Sequence, residues 1–287
     1  MTLDPAALTP REVYHYLSTA VAPRPICFAS TVDAAGNVNL SPYSFFNVVS
    51  GDPPLLAFSP LLSGRDGSSK DTLNNVRAVP EVTINVVSYA MAEQMSLTST
   101  AYPAGVNEFA KGGFTEVVSE AVRPPRVGEA CVSFECTVDR VLTLGDGPMA
   151  GNLVLARVVR IHLSDDVATA DGQLDPRRLD LIGRMGGNDY IRAVPEALFE
   201  IPKPLRTLGI GVDALPATVR LSPVLTGNEL GRLANVERLP TPAEIADVRQ
   251  RSEVAAATDP PARLTLARRY LAAGATTDAL AVLLGEG

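Results

Sequence analysis

Two stretches hold residues whose types and spacing suit ligand chemistry. The first, Arg65-Asp66-Gly67-Ser68-Ser69-Lys70-Asp71-Thr72, sets two cations and several hydroxyls ahead of Leu73-Asn74-Asn75-Val76, whose apolar spacing suits a short helix stopping before Pro80. A helix start exposes backbone N–H groups, carries partial positive charge, and can be capped by Ser, Asp or Thr. With the formal charges of Lys70 and Arg65 added, this is the donor set of a phosphate site. The same residues also describe an ordinary capped helix with solvated basic neighbours. The second stretch, Pro23 to Asn47, reads PRPICFASTVDAAGNVNLSPYSFFN. Its latter half interleaves apolar residues with Asn39, Ser41 and Ser44, is stiffened by Pro42 and ends on Phe45 and Phe46. Such a segment can hold a flat polar ring.

Positioning these residues requires a sheet. Ile26 to Val32 is apolar and β-branched and breaks at Asp33-Ala34-Ala35-Gly36, which reads as a strand, a tight turn and a short second strand that runs, within Val38 to Phe46, into a polar loop. Further strands are expected at Pro54–Ser59, Glu81–Val87, Val132–Leu144 and Leu153–Leu163, the last two joined through Asp146-Gly147. Strands following one another without long helices favour an antiparallel barrel, and no Gly-x-Gly-x-x-Gly follows a strand. Thr9 to Ser18 reads as a helix with Thr9 as cap, Pro10 in the first turn, and Val13, Tyr16 and Leu17 on one face. His15 is expected to face solvent. Met91–Leu97 is helical in pattern, and Thr98–Phe114 is a long loop anchored by Tyr102 and Phe109, either lids over the barrel core or contacts for a partner. Pro176–Leu181 is expected to start a short helix. Arg184, beside Gly186 and Gly187, can approach a ligand closely or pair with a local Asp.

The run RPICFASTVDAAGNVNLSPYSFFNVVSGDPPLLAFSP, followed by GSSKDTLNNV and by Arg184-Met185-Gly186-Gly187-Asn188-Asp189-Tyr190, resembles the flavin reductase-like, FMN-binding split-barrel family, in particular its flavoredoxin-like branch. The resemblance covers roughly Val13 to Pro204, and LGIGVDALPATVRLSPVLTGNELGRLANVE resembles a tail of some longer members. It implies a mainly β fold with helices, a split β-barrel, and a homodimer with FMN near the subunit interface. It further implies that Ser30, Thr31, Arg65, Ser69, Lys70, Asp71 and Thr72 hold the phosphate end, Asp71 by its backbone. Asn39, Ser41, Ser44, Phe45 and Phe46 would face the isoalloxazine, with Tyr102 and Arg184 also assigned to the cofactor. No side-chain acid or base is required for flavin-centred chemistry. A reduced nicotinamide, NADH or NADPH, is the expected electron donor, and a small redox protein or a flavin-dependent monooxygenase the expected partner. The rival readings are a non-catalytic FMN carrier and a split barrel using another cofactor such as heme or a deazaflavin.

Composition narrows these classes. A net charge of −7 without a basic cluster argues against nucleic acid as main partner. No apolar run is long enough to span a bilayer, and Asp4, Glu12 and two prolines make the N-terminus unlike a secretory signal, so a cytoplasmic protein is expected. Cys27, Cys131 and Cys136 form no Cys-x-x-Cys pair and are expected in strands as inert core thiols. With His15 and His162 as the only histidines, a metal site or a histidine-dependent triad is not expected.

The last third changes character. Three segments are expected: the split barrel over 1–204, an extended tail over 205–240 and a helical extension over 241–287. Pro242–Ala257 and Pro261–Leu284 read as helices, the second broken into a pair by Gly274 and Thr276-Thr277. The apolar face of Leu264, Leu271, Leu280 and Leu283 needs a docking surface, expected on the barrel or on a dimer partner.

Overall fold

The computed structural model of the chain describes residues 1–201, 203–205 and 207–284. Two compact units divide it, Met1–Phe199 and Glu200–Gly287.

The first unit is built on a seven-stranded sheet. Its strands are β1 (Cys27–Val32), β2 (Val38–Tyr43), β3 (Phe46–Gly51), β4 (Pro54–Phe58), β5 (Glu81–Val86), β8 (Val132–Thr143) and β9 (Asn152–Leu163). Their order is β2-β1-β5-β8-β9-β4-β3, with every pairing antiparallel. Two-stranded pairs are formed by β6 (Glu116–Val117) with β7 (Arg126–Val127), and by β10 (Ile182–Arg184) with β11 (Tyr190–Arg192).

The two edge strands, β2 and β3, are consecutive in the chain, separated only by Ser44 and Phe45. Tyr43 to Phe46 spans at most about 11 Å, whereas seven flat strands would put the edges roughly 29 Å apart. The sheet must therefore roll, and the Tyr43 and Phe58 rings meet at 5.6 Å across the roll. No hydrogen-bonded pairing joins β2 to β3, so the expected barrel is realised as a mixed α/β unit whose large antiparallel sheet is not closed.

Strand β1 is buried along its whole length because both faces are covered. Cys27 and Ala29 join Leu56, Phe58, Leu73 and Ile84 in one apolar cluster. Ile26 and Phe28 join Leu40, Met95, Phe109 and Phe114 in the other. The period-2 alternation of strand side chains thus feeds two cores from one strand. Helix α2 (Asp71–Ala78) covers the first through Leu73 and Val76.

Several expectations need correction. The second strand ends at Tyr43, and Phe46 opens the separate strand β3. The loop Thr98–Phe114 contains a helix, α4 (Glu108–Gly112), which follows α3 (Ala92–Leu97) and is capped by Asn107. Phe109 and Phe114 lie in the core, so this loop packs on its own unit. Pro176–Leu181 forms a turn held by the Asp175 carboxylate accepting from the Arg177 N–H, which replaces the expected helix. Helix α1 (Pro10–Ala20) has the expected Thr9 cap, extended by Glu12 into a capping box, but Tyr16 and Leu17 are exposed and only Ser18 is buried. His15 faces solvent. Cys131 lies just before β8, while Cys27 and Cys136 are buried strand residues, and burial pushes both thiols up.

The second unit is helical: α5 (Ala217–Arg220), α6 (Gly227–Leu233), α7 (Pro242–Arg249), α8 (Ser252–Ala256), α9 (Pro260–Ala272) and α10 (Thr276–Leu284). Pro242–Ala257, expected as one helix, breaks at Gln250 and Arg251 into α7 and α8. Gly274, at φ +77°, turns α9 into α10. Leu215, Val219, Leu233, Val248, Leu271 and Leu280 belong to one core, so residues from 205–240 and from 241–287 share it. Of the expected apolar face, Leu271, Leu280 and Leu283 join this core, while Leu266 and Ala267 of α9 are buried in it where Leu264 was expected.

Candidate functional site

The start of α2, the strand β2 and the segment Thr98–Tyr102 enclose a cavity of about 340 Å³. Asn39, Ser41, Arg65, Ser69, Lys70, Asp71, Thr72 and Tyr102, all expected at the site, line it. Seven of these come from two segments far apart in sequence, brought together because α2 packs across β1 and β2.

Lys70 occupies the N-cap position of α2 with an extended backbone and makes no side-chain cap. This corrects the expected Ser, Asp or Thr cap. The Ser69 hydroxyl instead donates to Asn74 Oδ1 at 2.7 Å, and Thr72 Oγ1 accepts from Asn39 Nδ2 at 2.8 Å. The Asp71 and Thr72 N–H groups, first in the helix, have no protein acceptor among the described residues. Lys70 itself is open to solvent on one side, yet protein packed around the rest lowers its pKa by desolvation. Its Nζ lies 5.4 Å from the centre of the Tyr43 ring, and no carboxylate among the described residues forms an ion pair with it.

A buried network fixes this geometry. Thr31 Oγ1 accepts from Asn75 Nδ2 at 3.0 Å, and Asn39 Nδ2 lies 3.5 Å from the same oxygen. Thr31 thus ties β1, β2 and α2 together from beneath and does not line the cavity. Ser30 is fully buried with an unpartnered hydroxyl, and it also lies outside the lining.

Ser68 of the same loop lines it too, and residues not singled out from the sequence complete the walls: Thr98, Ser99, Tyr43 and Glu108. Tyr43 is buried, and desolvation pushes its phenol up to about 12, partly offset by the neighbouring Thr72 and Ser41 hydroxyls. Its oxygen has no partner at full hydrogen-bond geometry. Glu108 Oε2 accepts the Leu40 N–H at 2.9 Å, an amide on the outer edge of β2 that no strand pairs. Burial, reinforced by Asp71, raises the pKa of this carboxyl. Only its place after Asn107, at a helix start, hinted at a positioned acid.

The structure separates the remaining expected residues. Ser44 and Phe45 lie beyond Tyr43, Phe45 5.9 Å from the Tyr14 ring and Ser44 accepting from Arg24 Nε at 3.4 Å. Phe46 packs against the sheet's apolar cluster. Arg184 lines a second chamber of about 260 Å³ that shares Tyr43 and Ser99 with the first. Gly186 is needed for packing: a Cβ there would sit 2.6 Å from Thr19 Oγ1 on α1.

Unfilled amides at a helix start, a lysine without an acid partner and a wall of hydroxyls and amides make a donor set suited to a phosphate beside a polar group. Among the described residues no group of His, Cys, Asp and Glu is arranged to hold a metal, and no helix is long and apolar enough to cross a membrane.

A flavin reductase like domain model matches residues 19–178. An uncharacterized protein of Halalkalibacterium halodurans is 37% identical over 194 residues, covering 66% of this chain and 91% of that protein. The crystal structure of nitrilotriacetate monooxygenase component B from Bacillus cereus aligns with a TM-score of 0.65 at 29% identity, covering 70% of this chain and 98% of that one. A split barrel domain protein from Shewanella frigidimarina shares the fold at 22% identity, with a TM-score of 0.60 over 71% of this chain and 99% of that one. The domain match spans more than half of the chain and contains β1, β2 and α2, the elements that build the polar cavity: this protein belongs to the flavin reductase like family, and its function is flavin-related redox chemistry.

Proposed function

We propose that the chain is an FMN-dependent oxidoreductase, acting as an NAD(P)H-dependent flavin reductase or a flavoredoxin-type electron-transfer flavoprotein. The observation that carries this reading is Lys70, which lines a polar cavity beside two unfilled helix N–H groups without a carboxylate to neutralise it. At about 340 Å³ the cavity falls within the roughly 300–1,000 Å³ range of small-molecule sites.

In this reading Lys70, Arg65, Ser69, and the backbone N–H groups of Asp71 and Thr72 bind the phosphate. Asn39, Ser41 and Tyr43 offer amide and hydroxyl groups to the ring system and Tyr102 flanks it, while Phe46 stays packed on the apolar core. Ser30 and Thr31 act from beneath, Thr31 by orienting Asn39. Bound flavin supplies hydride and electron transfer, and the protein supplies binding and orientation. NADH or NADPH serves as donor. Similarity to a monooxygenase component supports a flavin-dependent monooxygenase as partner.

A homodimer is part of the proposal. Val48, Val49 and Ile161 are exposed at 66%, 54% and 58%, apolar surface on sheet strands that a second copy would cover. Light scattering is expected to give twice the chain mass.

Titration with FMN and riboflavin tests the site. FMN is expected to bind more tightly, and equal affinities would remove the phosphate from the assignment. Steady-state NADH or NADPH oxidation with free FMN tests the activity, and binding without turnover would make the protein a flavin carrier.

A further inference from the structure

Arg184, which the family resemblance assigns to the cofactor, lines the second chamber and not the polar cavity at α2. The chamber is walled by Tyr14, Tyr43, Tyr190, Pro42 and Met95, and among the described residues no acid lines it. The Arg184 guanidinium stacks 4.6 Å from the Tyr190 ring centre, fixed by the β10–β11 pairing that sets the two residues opposite each other. One of its N–H groups donates to the Gly187 carbonyl at 2.6 Å. A guanidinium carries five N–H donors, and no carboxylate among the described residues pairs with this one.

Arg24, close by, shows what a satisfied guanidinium looks like. It is 7% exposed and donates to the carbonyls of Ser18, Val21 (2.7 Å) and Met185 (3.0 Å). Ser18 and Val21 lie at the C-terminal end of α1, where a cation is favoured by the helix dipole. Arg24 is therefore consumed in tying α1 to the loop after β10. Its charge adds to the positive potential at Arg184 and further disfavours a cationic occupant.

We propose that the chamber beside Arg184 binds a small planar aromatic carboxylate, the second reactant or a competitor of it at the flavin site. Aromatic walls match the ring, and the guanidinium fork matches a carboxylate bidentately. Phosphate chemistry belongs to the neighbouring cavity, where hydroxyls and helix amides gather and the walls are less aromatic. At about 260 Å³ the chamber suits a one-ring acid better than a dinucleotide. Because Tyr43 and Ser99 belong to both chambers, the acid would lie directly against the occupant of the first. The proposal rests on reading that first cavity as the flavin site.

Isothermal titration of the full chain with benzoate, and with benzyl alcohol as the neutral isostere, tests it. Benzoate is expected to bind the more tightly. Arg184→Gln is expected to weaken benzoate about tenfold or more, with FMN affinity unchanged. Arg184→Lys, which keeps charge but loses the fork, should fall between. Absence of benzoate binding to the unaltered chain, or equal binding by Arg184→Gln, would overturn the proposal, as would benzoate binding lost in Lys70→Ala but not in Arg184→Gln. Failure of FMN to bind the unaltered chain would instead strike the flavin reading. Loss of FMN affinity in Arg184→Gln would place the arginine on the flavin and sink the carboxylate assignment alone.

Discussion

In the second unit Arg238 holds Glu244 at 2.7 Å, Arg251 holds Asp278 at 2.8 Å and Arg268 holds Glu229. In the first, Lys70 and Arg184 line cavities with no ion-pair partner among the described residues. The two regions use the same side-chain chemistry for different ends. A cation matched to a carboxylate within its own unit contributes to a surface network, whereas one left unmatched at a concave, polar wall retains its capacity for a ligand. The difference lies in geometry, since arginines and acids are plentiful in both regions.

The strongest way to break this comparison is to damage the second unit and watch the first. Leu280 is fully buried in the helical core, so Leu280→Ala is expected to cost about 2–5 kcal/mol of that unit's stability. FMN affinity, read by titration below the melting transition, should not change. Loss of FMN binding in a chain that remains folded would mean that the helical unit contributes to the site.

Next in size is Lys70→Ala, expected to weaken FMN by about 1.5–3 kcal/mol through loss of a charge-assisted bond, with riboflavin affected far less. Adding Arg65→Ala should deepen the loss by a smaller amount, because Arg65 is exposed. Equal weakening of both flavins would show that this loop does not meet the phosphate. By contrast, Arg238→Ala should change stability by only about 0–1 kcal/mol and leave flavin binding alone, as expected for an exposed pair.

The smallest effects concern pH and have opposite signs in the two regions. The hydrogen bond from Arg268 holds Glu229 down to about 2, from an ordinary value of 4.5. Its contribution is present above pH 4.5 and is lost as pH falls toward 2. Glu108 is raised by burial, so its native form holds a proton longer than the unfolded chain does. Stability then falls as pH rises from 4.5 through the raised value. Glu108→Gln is accordingly expected to be more stable than the parent at neutral pH, with the gap closing toward pH 4.5 in denaturant titrations. An unchanging gap would mean that Glu108 titrates normally.

Most of the first unit's pattern was legible because it is written locally. The turn at Asp33–Gly36 works as its residues suggest, the Asp33 carboxylate accepting from the N–H groups of Ala35 and Asn37. The grouping of Asn39 and Ser41 with the loop at Lys70 came from the family resemblance, and the packing of α2 realises it. Glu108 was not legible, since its role depends on an edge amide of β2, 68 residues away in the chain. Phe46–Gly51 escaped as a strand because its irregular pairing with β4 weakens the alternating pattern and its outer residues are exposed. Arg184 was read from its neighbouring glycines as a residue that could approach a ligand or pair with a local Asp, but its place in a separate chamber was not legible, since only the folding of β10 and β11 beside Tyr43 creates it. In the last third, proline spacing revealed the helices, while the sharing of one core across positions 205–284 required the fold.

The two-residue passage through Ser44 and Phe45 has a mechanical meaning. Tyr43 and Phe46 are the last and first residues of the two free edges of the rolled sheet. A ligand gripping Tyr43 on one side and Phe45 on the other would act as a clasp across the open seam, opposing its unrolling. Binding energy would then appear as slower amide exchange in both edge strands, rising with ligand concentration as mass action requires. An unsealed sheet would in this sense be a gauge of occupancy, registering a bound molecule along the length of β2 and β3.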